Sequence, residues 1–204
     1  MHCRNYIVTG FITAAVIASC NLAPKKDATD STKAPIKPDT TQHSVQRDTT
    51  FGDLHITAIA RGDASMRNLL IAIGNKKDST RADTIIERDI KGQLEAVMVG
   101  DLDRNGKPEL YCYMLSEGTG RYGNIYAYDF SGDKILRIST NAVDTLELPA
   151  YRGHDSFYIK NENLVRTFPV YREGAPDALT ADTRMIVRYG LQKNDGGFEL
   201  VQIK

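Results

Sequence analysis

The sequence has no Trp and only three Cys in 204 residues. Cys3 and Cys20 sit at the amino terminus and Cys112 stands by itself, so neither a disulfide-stapled scaffold nor a Cys-rich zinc site can be built. Charge of one sign is also lacking: 26 basic side chains balance 26 acidic ones. A protein that tracks nucleic-acid phosphates needs a basic surplus, so no nucleic-acid partner is expected. No apolar run approaches the ~20 residues of a membrane-crossing helix. Nor is there a capped segment of helical period; a short turn at 141–148 is the best helical candidate. What remains is a chain with 41% apolar residues, too many for a disordered protein and enough for one medium domain.

Residues 1–20 read MHCRNYIVTGFITAAVIASC. Arg4 supplies a positive start, and 7–18 is an apolar run of the length of a signal-peptide core. The ending Ile17-Ala18-Ser19-Cys20 resembles the lipobox of bacterial lipoproteins. That resemblance implies cleavage before Cys20, acylation of its sulfur and new amine, and residence in the cell envelope, anchored at the outer membrane. Several acyl chains hold a protein stably where one chain does not. An ordinary secretory signal followed by an unrelated Cys is the plainer alternative.

Residues 20–50 then hold three Pro, six Thr, four Asp and four Lys, with Leu22, Ile36 and Val45 as the sole large aliphatics. Such a stretch buries too little to offset the entropy of ordering, and a mobile tether is expected. Its Lys and Asp residues cancel, which argues against a polybasic lipid contact.

From residue 51 to 204 the composition changes, and nearly all the Tyr and Phe fall here. Apolar residues alternate with period two at 93–99, 110–114, 125–130, 185–191 and 198–203, and 68–73 is a continuous apolar run. Turn signals stand between them at Asn105-Gly106, 118–123, 131–133, 160–163 and 194–197. Short strands at this spacing predict an all-β domain, an antiparallel β-sandwich or flattened barrel with short helical turns at most.

Three segments carry candidate chemistry. Asp101, Asp103, Asn105 and Glu109 place oxygens at positions 1, 3, 5 and 9 of a turn with Gly106 at position 6, the pattern a hard cation such as Ca²⁺ favours. Cys112 stands where an EF-hand has its closing acid, and an Asn-Gly hairpin with solvated acids explains the same residues. Gly118, Gly120 and Gly123 permit a tight loop whose sizeable side chains are Thr119, Arg121 and Tyr122, and Tyr and Arg dominate many interfaces. A strand rather than a helix follows it, so it is no phosphate loop. His154, Asp155 and Ser156 are adjacent on an extended chain and point to opposite faces, so they make a turn rather than a catalytic triad. Arg61-Gly62-Asp63 is too short a match to weigh. No catalytic constellation emerges, and an enzyme is not expected.

With these segments in order, the chain resembles the periplasmic inhibitors of invertebrate-type (i-type) lysozyme. The likeness runs through most of 96–200. It rests on Val99-Gly100-Asp101-Leu102 with Asn105-Gly106-Lys107-Pro108-Glu109-Leu110, on 116–123, on Gly153-His154-Asp155-Ser156-Phe157, on 164–171 and on 184–191. The resemblance implies a non-enzymatic β-sandwich, without a required cofactor, whose Ser-Gly-x-Tyr-Gly loop enters the lysozyme cleft around its two carboxylates. Thr119, Gly120, Arg121, Tyr122 and Gly123 occupy that loop here. Thr119 keeps the hydroxyl of the family's Ser and adds a methyl, while Arg121 fills a position that is usually small. Homodimers also occur in the family. The alternative from another class is a Ca²⁺-dependent glycan- or protein-binding lipoprotein.

Overall fold

The alternation seen in the sequence at 110–114 becomes the centre of the molecule. Strand β6 (Glu109–Leu115) is buried along its whole length. Leu110, Cys112 and Met114 face one core, and Tyr111, Tyr113 and Leu115 face another. A strand with apolar residues on both faces belongs inside a stack of sheets, and the fold supplies one on either side.

The computed structural model describes residues 43–63, 66–77, 82–130, 135–144, 151–171 and 183–204. The first sheet runs β1 (Ser44–Phe51), β2 (Leu54–Asp63), β3 (Met66–Asn75), β4 (Ala82–Ile90) in order. The middle sheet is β5 (Gln93–Gly100), β6, β7 (Gly123–Asp129), β8 (Leu136–Ile138). In the third, β9 (Ser156–Lys160), β10 (Asn163–Val170), β11 (Thr183–Asn194) and β12 (Gly197–Ile203) lie in sequence order. Every pair within the sheets is antiparallel. A single helical turn, α1 (Asn141–Asp144), interrupts the strands; the remainder of the turn expected at 141–148 lies outside the described residues.

One core, with Ile56, Leu69, Ile71 and Ile90 against Leu94, Leu110 and Met114, fills the space between the first and middle sheets. The other, with Tyr111, Tyr113 and Ile125 against Phe157, Leu164, Phe168 and Tyr189, fills the space between the middle and third. Burying such a side chain contributes about 1.5–3 kcal/mol. The middle and third sheets are stitched at one corner, where Ser139 N–H donates to the Phe198 carbonyl and Leu200 N–H donates to that of Ser139, both 2.9 Å. The domain is therefore an all-β sandwich of three antiparallel sheets, and the flattened-barrel alternative does not apply because no sheet closes on itself.

One sequence expectation is revised. The tether expected over 20–50 gives way to structure before its end, since residues 44–50 belong to β1, which pairs with β2 from Ser44↔Arg61 to Phe51↔Leu54. The earlier part of that tether, the signal segment and Cys20 lie outside the described residues. The run at 68–73 is part of strand β3, in which Leu69, Ile71 and Ile73 enter the core while Asn68 and Ala72 are exposed.

Candidate functional site

The Gly-rich loop leaves β6 at one end of the middle sheet and returns as β7. Its base is closed by two hydrogen bonds: Ser116 N–H donates to the Tyr122 carbonyl (2.8 Å), and Tyr122 N–H donates to Ser116 Oγ (2.7 Å). Between them the chain turns through Gly118 at φ +114° and Arg121 at φ +44°, an angle that a residue with a Cβ adopts only under local constraint. The constraint comes from a second segment. His154 N–H donates to the Gly120 carbonyl (2.7 Å), and Asp155 N–H donates to that of Arg121 (3.3 Å). Gly153 makes this approach close enough that a Cβ there would run into the Gly120 carbonyl.

Asp155 anchors both segments from within. It is buried, and its Oδ2 accepts from Gly123 N–H (2.7 Å) and from the Tyr151 hydroxyl (2.5 Å). Arg166 on β10 clamps the same carboxylate with Nε at 2.7 Å and Nη2 at 3.1 Å, and gives Nη1 to the Val143 carbonyl at 2.9 Å. The Tyr113 hydroxyl donates to the Asp155 carbonyl at 2.7 Å. Arg166 also lies 4.8 Å from the Tyr151 ring centroid and 5.4 Å from that of Phe157. Burial alone would pull the Arg166 guanidinium's pKa down; its bonds to Asp155 more than reverse this, so the charge is firmly held. Asp155, expected as the side chain of a surface turn, is instead a buried hub.

On this fixed base Thr119, Arg121 and Tyr122 are exposed, with Gly123 buried beneath them. Tyr122 leans its edge on Tyr151 (centroids 5.8 Å apart), which in turn meets Phe168 at 4.9 Å. Exposed Arg152 and His154 border the same depression as Thr119 and Tyr122. From the opposite sheet, Arg67 on β3 reaches Glu117 at 2.5 Å. The arrangement presents one hydroxyl, one guanidinium and one phenol, with the Arg152 side chain at the edge of the same depression. Such a surface can bind carboxylates.

The second candidate lies at the other end of β6. Asp101, Asp103 and Glu109 bring one carboxylate oxygen each within 4.8 Å of one another. Asp101 accepts from the N–H groups of Asn105 (2.9 Å) and Gly106 (2.8 Å). Asp103 accepts from Asn105 N–H (3.1 Å) and its side-chain amide (2.8 Å). Glu109 is fully buried and takes Leu102 N–H at 2.8 Å and the Tyr111 hydroxyl at 3.2 Å. Burial pushes its pKa up to about 7, with the Asp103 and Asp101 charges adding to the rise. The expected residues are therefore brought together, with Asn105 threaded through them by main-chain and side-chain bonds.

What the sequence reading missed is the Asp155–Arg166–Tyr151 cluster. No local pattern marks it, because its members meet only through tertiary pairing. No protein-family model matches the chain, and no curated protein matches it.

Proposed function

We propose that this protein is a lipid-anchored inhibitor of lysozyme, of the i-type first, which presents residues 119–123 to the enzyme's catalytic cleft. The observation that carries the reading is an exposed Thr119, Arg121 and Tyr122 set on a loop that Ser116, His154 and Asp155 hold in one conformation. A retaining glycosidase holds two carboxyls about 5–5.5 Å apart, one ionised and one a proton donor. A hydroxyl and a guanidinium offered from one loop match the chemistry of that pair and give it no glycosidic bond to cleave. Hydrogen bonds to charged groups contribute about 1.5–3 kcal/mol each. A loop already fixed at both ends loses little further entropy on insertion. The Cys20 lipid would hold the domain in the envelope, beside the wall that lysozyme attacks.

The alternative of a Ca²⁺-dependent binding module draws on Asp101, Asp103, Asn105 and Glu109. A panel of i-, c- and g-type lysozymes on cell walls separates the two readings. The inhibitor reading expects residues 21–204 to abolish the activity of one class at a one-to-one ratio, unchanged by EDTA. Full activity of every class, with wall or protein binding that chelation removes, would replace it with the alternative.

A further inference from the structure

We infer that the loop joining β5 to β6 is a calcium site, built from Asp101, Asp103, Asn105 and Glu109, which fastens the end of the middle sheet remote from the Gly-rich loop. The proposal starts from Glu109. It is 0% exposed, and while Oε2 accepts two hydrogen bonds, Oε1 has no partner among the described residues. A buried carboxylate oxygen without a donor is costly, and buried polar atoms in folded proteins nearly always find a partner. The same carboxylate closes on Asp101 and Asp103, with one oxygen of each within 4.8 Å. Three acids at this separation repel one another when ionised, and a cation held between them would offset that. The Arg104 guanidinium of the same loop is turned to Glu162 instead.

The donor set selects the ion. Every group offered is oxygen: three carboxylates and the Asn105 amide, with no thiol or imidazole in the cluster. Hard cations take such sets, and Ca²⁺ accepts six to eight oxygens in irregular geometry where Mg²⁺ demands an octahedron. Water and main-chain carbonyls would complete the shell. The hydrogen bonds from Asn105 and Gly106 to the Asp oxygens do not compete, because each carboxylate oxygen keeps a second lone pair. Leu102, buried in the core between its two acids, fixes the loop from below.

The site is independent of the inhibitor reading. β6 has seven residues, so the two loops lie about 20 Å apart at ~3.3 Å per residue. An ion at one end stiffens the sheet without touching the other.

Terbium gives a direct probe. With no Trp in the chain, excitation of Tyr reports on the site through Tyr111, whose hydroxyl is 3.2 Å from Glu109. Residues 21–204 should show Tyr-sensitised Tb³⁺ emission that Ca²⁺ displaces with a dissociation constant on the order of 10⁻⁴–10⁻³ M, the range of extracellular calcium modules. Mg²⁺ at equal concentration should displace far less. Millimolar Ca²⁺ should raise Tm by about 2–4 °C over the EDTA-treated protein. Glu109→Gln, which keeps an acceptor for Leu102 N–H, and the surface change Asp103→Asn should each weaken binding at least tenfold. Absence of displaceable emission in the parent chain overturns the site, as does emission undiminished in both variants. Equal displacement by Mg²⁺ overturns its assignment to calcium.

Discussion

Asp155 joins residues that the chain keeps far apart. Tyr113 is 42 positions away, Gly123 32 and Arg166 11, and all bond to this one residue. Asp155→Asn should therefore cost about 3–5 kcal/mol in urea unfolding, because it leaves Arg166 buried without its counter-charge. A loss below 1 kcal/mol would mean the pair is not the anchor. Two glycines separate fold from loop. Gly153→Ala drives a Cβ into the Gly120 carbonyl at φ +84°, so it should lower Tm and inhibition together. In Gly120→Ala the atoms nearest the new Cβ belong to the Tyr122 ring, an exposed side chain that can swing aside. That variant should keep its Tm within a few degrees and lose inhibition about tenfold. The glycines were legible in the sequence, since turn chemistry is local. The hub was not, since its meaning lies in tertiary partners.

The strands divide in the same way. β5, β6, β7, β11 and β12 declared themselves through period-two alternation, although in β5 an irregularity between Leu94 and Ala96 puts Leu94 on the face of Val97 and Val99 rather than that of Ala96 and Met98. β1 (SVQRDTTF) and β4 (ADTIIERDI) did not, because edge strands of an outer sheet carry polar residues on both sides. The cluster at 101–109 was legible as a spacing, but the burial of Glu109 came only with the sheets that cover it. Alternation along β6 likewise did not reveal that a sheet covers each face. Cys112 tests that element. It is fully buried, and burial pushes its thiol up to about 12. In residues 21–204, where it is the sole Cys, the native protein should leave a thiol reagent unreacted over hours and react fully in denaturant. Fast native labelling would contradict the central placement of β6.

The molecule as a whole uses its middle sheet as a frame, with an acidic loop at one end and a Gly-rich loop bearing Arg121 and Tyr122 at the other. Stability and inhibition should accordingly separate: calcium alters the first and leaves the second alone. Among the described residues no helix is long and apolar enough to cross a membrane. The central claim is that a held loop blocks the lysozyme cleft. It is tested most directly by titrating i-type lysozyme with residues 21–204 and with the same chain carrying Thr119→Ala, Arg121→Ala and Tyr122→Ala. The parent chain should bring activity to zero at one equivalent. The triple variant should bind at least a hundredfold more weakly, about 2.7 kcal/mol, at an unchanged Tm. Equal inhibition by both chains, or by neither, would contradict the account.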